Sequence, residues 1–129
     1  MPTLVLYLAL APVLTAPPPS QDLQPLFDAL WQVESTGRIR VVGDGGRSKG
    51  PYQISRAYWK DACQFGGVNW DYDRYVWSRP HCQAVMKWYW QRYGARTDEQ
   101  RARIHNGGPR GDQTPRTLAY WRKVQREMQ

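Results

Sequence analysis

After residue 21 this sequence is cut into short segments by helix start and stop signals, and that punctuation constrains the fold more than any other feature. From Leu23 to Ser35, apolar residues at 23, 26, 27, 30, 31 and 33 form a helical stripe, with Gly37 as the stop. Ser55 suits the cap of a helix through "RAYWKDACQF", which Gly66 and Gly67 close. Ser78 and Pro80 open a helix that runs through "HCQAVMKWYWQRY" to Gly94. Thr97 with Gln100 makes a capping box for "DEQRARIHN", ended by Gly107 and Gly108, and Thr114 with Pro115 starts "RTLAYWRKVQREM". Between the first two helices, "RIRVVGDGGRSKGPYQI" reads as two short runs about a glycine-rich turn, a small hairpin; "VNWDYDRYVW" reads as an aromatic-rich loop. The expected fold class is α+β, mainly helical, with four to five helices around one small β-hairpin.

The 129 residues suffice for one domain with a modest core and leave no room for a doubly wound α/β sheet. The first sixteen, "MPTLVLYLALAPVLTA", carry no charge and are too few to span a bilayer, but they suit a secretory signal cut after Ala16. The expected organisation is a signal peptide over 1–16, a short linker over 17–22 and a single domain over 23–129. Removing that uncharged segment leaves all 18 Lys and Arg against 11 Asp and Glu, a net charge of +7, which favours an anionic polymer as partner. Nucleic acid fits poorly, because the basic residues are scattered and no zinc-finger or RNP-like motif is present.

Two cysteines, Cys63 and Cys82, are available for one disulfide in an oxidising compartment, closing a loop of about 20 residues and contributing about 3 kcal/mol. With two histidines at unrelated spacings they make no metal site.

The residue that draws attention is Glu34. Trp31, Leu30 and Phe27 stand three, four and seven positions before it, so the stripe puts a carboxylate on the apolar face of its helix, in the last turn. A carboxylic acid among those side chains loses hydration, which penalises the ionised form, and the negative end of the helix dipole acts in the same direction. Such an acid suits proton donation to a leaving oxygen, the general-acid half of glycoside cleavage. A second carboxylate is then needed, and Asp44 in "GDGG" is the nearest, with Asp71 and Asp73 of "NWDYD" as alternatives. Asp61 stands at helical spacing to Ala57 and Phe65 and reads as structural.

The segments "VESTG", "VGDGGRSKGPYQI", "AYWKDAC", "ARIHNGGPRG" and "TLAYW", in this order and spacing over residues 28 to 124, resemble the invertebrate-type lysozymes, also called the destabilase group. The resemblance implies a lysozyme-like catalytic domain that cleaves the β-1,4 bond between N-acetylmuramic acid and N-acetylglucosamine in peptidoglycan. It implies Glu34 as general acid and, by order, Asp44 as nucleophile or stabiliser; a gapless comparison with some members lands on Gly43 instead. The "GPYQI" segment is similar to a substrate-lining strand, which implies that Tyr52, Gln53 and Ile54 line the saccharide cleft. "HNGG" implies ligand contacts from His105 and Asn106, with a helix-end histidine meeting free carbonyls as the other reading of His105.

The apolar N-terminal segment points to a secreted or periplasmic protein and the resemblance to a bacteriolytic enzyme acting on peptidoglycan; the expectation is a monomer with no cofactor, metal or nucleic acid. One departure stands out: members usually carry a cysteine just before "PYQI", where this chain has Lys49. Cys63 and Cys82 lie near family cysteines with small offsets, so stability must come from packing, for which seven tryptophans are at hand. Some members are credited with isopeptidase action, but Ser48 and Lys49 are neighbours in a strand and point to opposite faces. A lytic transglycosylase, which needs no second carboxylate, and a non-catalytic glycan-binding module are the competing readings.

Overall fold

The computed structural model describes Thr3 and residues 22–129. The expected signal segment and linker, apart from Thr3 and Asp22, lie outside the described residues. The described residues form six α-helices and one small sheet: α1 (Gln24–Ser35), α2 (Arg56–Gly66), α3 (Tyr72–Tyr75), α4 (Arg79–Arg92), α5 (Asp98–Gly107) and α6 (Thr117–Met128). The sheet is β1 (Val42–Gly43), β2 (Ser48–Lys49) and β3 (Ile54–Ser55), all between α1 and α2.

The capping chemistry accounts for most of these boundaries. Ser55 accepts from the Tyr58 N–H at the start of α2, and Ser78 accepts from the His81 N–H at the start of α4. The capping box of Thr97 and Gln100 opens α5. Helix α1 ends at Ser35 and its left-handed cap falls one residue before the expected glycine: Thr36 adopts that conformation (φ 52°, ψ 42°), its N–H donates to Gln32 O, and the Gly37 N–H donates to Trp31 O.

Three expectations need correction. The hairpin is a three-stranded antiparallel sheet in the order β1-β2-β3, because "PYQ" turns the chain back and Ile54–Ser55 pairs with Ser48–Lys49. The aromatic-rich loop contains the single turn α3, capped by Asp71, whose Oδ1 accepts from the Asp73 N–H. Helix α6 starts at Thr117, because residues 111–113 form a 3-10 turn and the following turn, with Pro115, precedes the helix.

The core is built of aromatic plates between helices. Phe27 of α1 stacks on Trp90 of α4 at 5.6 Å, and Tyr58 of α2 stacks on Tyr89 of α4 at 3.8 Å. Leu26, Leu30, Val85, Met86, Ile104 and Val124 fill the space between. Helix α2 packs on α4, and α6 packs on both α1 and α5.

The α5–α6 junction is a buried polar lock. Arg103 donates through Nε to Thr117 Oγ1 (2.9 Å), through Nη2 to Thr114 O (3.2 Å) and through Nη1 to Glu99 Oε2 (3.1 Å). The Thr117 hydroxyl lies within donating distance of Gly111 O (2.6 Å) and Thr114 O (2.8 Å). The backbones approach so closely that a Cβ on Gly111 would lie 2.0 Å from Arg103 O, which only glycine avoids. A guanidinium buried without partners would cost several kcal/mol, so this lock fixes where α6 lies.

The disulfide expected between Cys63 and Cys82 is absent: both thiols are buried and free. Cys82 faces the interior from α4 and donates to Val76 O, and burial pushes both thiols above the ordinary cysteine range. Packing and the polar lock hold the domain in its place. No helix among the described residues is long and apolar enough to cross a membrane.

Candidate active site

A cleft of about 550 Å³ runs between the sheet and the α2–α5 side of the domain, lined by Glu34, Asp44, Ser48, Gln53, Tyr58, Asp61, Tyr89, His105, Asn106 and neighbouring backbone. Glu34 reaches it because the apolar stripe of α1 outruns the core. Phe27 and Leu30 are buried, and Glu34, one turn further along the same stripe, emerges where the interior meets α5 and α6.

The surroundings of Glu34 differ from the apolar wall expected. Trp31 turns away: its ring lies 3.7 Å from the Arg79 guanidinium and its indole N–H donates to Arg38 O. The carboxylate, 18% exposed, meets polar tips of otherwise buried aromatic groups. Tyr120 of α6 donates to Glu34 Oε2 at 2.9 Å, and His105 Nε2 lies 3.3 Å from the same oxygen.

The histidine's neighbours fix its tautomer. Nε2 is 2.9 Å from Tyr52 O, which can only accept, so Nε2 carries the hydrogen and shares it between that carbonyl and Glu34. Nδ1 then accepts from the Tyr58 hydroxyl at 3.0 Å. Burial, with a smaller contribution from nearby ionisable groups including Glu34, holds the Tyr58 hydroxyl well above the ordinary tyrosine range. Burial first, then the Glu34 charge and the hydrogen bond itself, does the same to Tyr120. Both phenols therefore stay protonated and remain donors.

Asp44 stands across the sheet side of the cleft in a 3-10 turn, with a positive φ of 51°. Aspartate tolerates that conformation better than bulkier residues do, and the glycines that follow continue the turn. Its Oδ2 accepts from the Ser48 hydroxyl at 3.0 Å, while its carbonyl accepts from the Arg47 backbone N–H and Nε. Gly43 holds no side chain because the Gln53 amide crosses it: a Cβ there would lie 2.3 Å from Gln53 Oε1. Gln53 is itself pinned by donating Nε2 to Val41 O and Gly50 O. The cleft carboxylate at this turn is thus at 44, not 43.

The alternatives Asp71 and Asp73 do not line the cleft. Asp71 caps α3, and Asp73 pairs with Arg56 and Lys49 on the far side of the sheet. Ser48 and Lys49 do diverge as strand geometry requires, one to Asp44 and the other to Asp73.

Of the three residues expected to line the cleft from "PYQI", only Gln53 does so. Tyr52 and Ile54, two apart, both turn inward; they are 0% and 1% exposed. The Tyr52 hydroxyl accepts from Gln83 Nε2 and Arg79 Nε deep under the sheet, and its backbone carbonyl, not its ring, serves the site through His105. His105 lines the cleft but is buried by its three partners, and the carbonyl it meets is that of Tyr52 in the turn before β3, not a free carbonyl of its own helix end; Asn106 lines the cleft exposed.

Several site residues escaped sequence reasoning. Tyr58 and Tyr120 carry no local signal beyond their place in "AYWKDAC" and "TLAYW", and only the tertiary fold turns their hydroxyls to His105 and Glu34. Ser48 is the strand residue opposite Gly43, a register legible only once the pairing is known. Asp61, read as structural, lines the cleft while accepting from the Tyr93 hydroxyl and pairing with Arg92 at 2.9 Å. Among the described residues no cluster of histidine, cysteine and carboxylate side chains is arranged to hold a metal.

A small helical domain with a three-stranded sheet and three carboxylates, Glu34, Asp44 and Asp61, lining one cleft is lysozyme-like, and comparison with known proteins gives the family. The chain is 44% identical over 81 residues to lysozyme 1 of Crassostrea virginica, a match covering 60% of this chain and 44% of that protein. It is 35% identical over 94 residues to invertebrate-type lysozyme 2 of Caenorhabditis elegans, covering 62% and 66%. The crystal structure of Tapes japonica lysozyme superposes with a TM-score of 0.69 at 30% identity, over 79% of this chain and 87% of that one. The chain belongs to the invertebrate-type lysozymes. No family model matches it. It spans 44 to 60% of the length of the Crassostrea virginica, Magallana gigas and Ostrea edulis relatives.

Proposed function

We propose that this protein is a secreted or periplasmic muramidase that acts as a monomer. It hydrolyses the β-1,4 bond between N-acetylmuramic acid and N-acetylglucosamine in peptidoglycan. The observation that carries this reading is that, unlike Asp61, whose two oxygens are taken by Tyr93 and Arg92, the cleft carboxylates Glu34 and Asp44 share one arrangement. Each has one oxygen held by a hydroxyl, Oε2 of Glu34 by Tyr120 and Oδ2 of Asp44 by Ser48. Among the described residues no hydrogen bond reaches the other oxygen of either group.

The chemistry follows from that asymmetry. With Tyr120 and His105 both donating to Oε2, the proton of the acid form sits on Oε1, from which Glu34 gives it to the glycosidic oxygen as the C–O bond breaks. Positive charge then develops at the anomeric carbon, and Asp44 stabilises it or bonds to it through Oδ1. Water completes the hydrolysis by giving a proton back to Glu34 and its hydroxyl to the sugar. The basic surface holds the enzyme on anionic walls, an attraction that salt weakens.

Digestion of purified peptidoglycan tests the proposal by mass spectrometry. Soluble muropeptides with reducing ends, abolished in Glu34→Gln, are expected. Anhydro-muropeptides would replace hydrolysis by a transglycosylase reaction, and wall binding without release of soluble sugar would leave a binding module.

A further inference from the structure

The rim of the cleft at the β3–α2 junction is thin. Ser55 and Ala57 line the cleft on one side and, on the other, a second groove of about 380 Å³ whose remaining walls are Gly46, Arg47, Lys49, Arg56 and Tyr72. Three cations stand there against two carboxylates, Asp73, which pairs with two of them, and Asp71, whose charge also acts on Arg56. Arg56 donates to Asp73 at 2.8 and 3.0 Å, and Lys49 Nζ lies 3.5 Å from it. Arg47 makes no ion pair among the described residues; its Nε reaches only the Asp44 carbonyl. The three cations and two anions leave one positive charge unbalanced, and Arg47 is the cation without an ion pair among the described residues.

The floor of the groove supports the same placement. The Arg56 guanidinium lies 4.7 Å from the centre of the Tyr72 ring and Lys49 Nζ 5.8 Å from it, so the ring holds both cations beside the groove. Gly46 opens the groove: a Cβ built there meets nothing within 4 Å. The 62% exposure of the Arg56 side chain leaves it accessible to solutes despite its pairing.

A glycan backbone whose muramic acid carboxylates are taken up in amide links is uncharged and gives no reason for an excess positive charge at the other face of the rim. A substituent that branches from the glycan and carries carboxylates does. Peptidoglycan has such branches, short peptides attached to alternate sugars. We propose that the groove of Arg47, Lys49 and Arg56 is a subsite for the carboxylates of the peptide branch on the glycan strand held in the cleft. The inference rests on the peptidoglycan reading above and goes beyond it: the enzyme recognises the branch as well as the backbone. Charge-assisted hydrogen bonds from two or three cations supply the discrimination, with the Ser55–Ala57 rim separating the two halves of the ligand.

Calorimetric binding to the full chain carrying Glu34→Gln, so that nothing is cleaved, tests this directly. The two ligands are a soluble oligosaccharide of alternating N-acetylglucosamine and N-acetylmuramic acid whose lactyl carboxylates are capped as simple amides, so that it carries no charge, and the same oligosaccharide bearing its peptides on those groups. The peptide-bearing form is expected to bind about tenfold tighter. Arg56→Gln and Lys49→Gln should each remove most of that advantage and leave the bare oligosaccharide unchanged, whereas Asp73→Asn, which frees both cations, should enlarge it. A gain from Asp73→Asn cannot come from misfolding, so it keeps the test sharp if the cation variants are unstable. Equal affinity for the two ligands, or equal weakening of both by the variants, would overturn the subsite while leaving the cleft reading intact. Displacement of the peptide-bearing ligand from this groove by poly(glycerol phosphate), with no benefit from the peptide, would assign the groove to a phosphate polymer instead. If neither oligosaccharide binds, the glycan reading of the cleft falls and the subsite falls with it.

Discussion

The Tyr120 hydroxyl donates to Glu34 Oε2 across 2.9 Å, joining the last turn of α1 to α6 over 86 positions of chain. Helix α6 is held in turn by the Arg103–Thr117 lock on α5, the helix that also carries His105. Three helices therefore set the position of one carboxylate.

Tyr120→Phe keeps the packed ring and removes only the donor. Loss of a hydrogen bond to an ionised group costs about 1.5–3 kcal/mol, so kcat is expected to fall about tenfold or more while KM and the thermal midpoint change little. Steady-state turbidity assays on cell walls, paired with thermal melts, provide the measurement.

Asp44→Asn and Ser48→Ala separate the carboxylate from its support. The first should lower kcat/KM by two orders of magnitude or more, since charge stabilisation at the anomeric carbon is lost, whereas the second should cost only about tenfold. If Asp44→Asn left hydrolysis intact, the second carboxylate would have to be sought elsewhere in the cleft, with Asp61 next.

Alkaline pH should unfold the domain through its buried phenols. Tyr58 and Tyr120 are held well above the ordinary tyrosine value, and burial pushes Tyr89 to about 12. A phenol with a raised folded value contributes stability that is complete below the unfolded value of about 10 and is lost as pH rises through the folded one. Denaturant titrations should show stability flat with respect to these groups up to about pH 9.5 and then falling, by up to about 1.4 kcal/mol per pH unit for each such group. Tyr89→Phe and Tyr58→Phe should each shallow that slope.

Thr117→Val removes the acceptor for Arg103 Nε and strands a buried guanidinium N–H. A stability loss of about 1–3 kcal/mol in urea titrations is expected, together with lower activity, because α6 carries Tyr120.

Reducing agent should leave the thermal midpoint unchanged, since neither cysteine is bridged. Alkylation of the native protein at pH 8 should be slow at both thiols, because burial keeps them protonated and covered; mass spectrometry before and after denaturation would show it.

The sequence was most informative where a boundary depends on local chemistry. Ser55, Ser78 and the Thr97–Gln100 box cap their helices as read, because a cap needs only its own turn. The same periodicity put Glu34 on the inner stripe of α1 but misjudged its company: Trp31, on that stripe too, is drawn off by Arg79 and Arg38. Tyr52 and Ile54 are buried: resemblance of a segment does not specify which face of it meets the cleft, and the turn through Gln53, with its positive φ of 53°, leaves only that side chain there. Tyr120, Ser48 and the basic groove beyond Ser55 depend on contacts between distant segments, which local patterns do not encode.

The dependence of Glu34 on α6 has a consequence for how activity develops as the chain folds. Its partners arrive only when a contact spanning most of the domain closes, the class of contact that forms late and opens early. Turnover should therefore report on complete folding, disappearing at denaturant levels where α1, α2 and α4 still hold their helical signal.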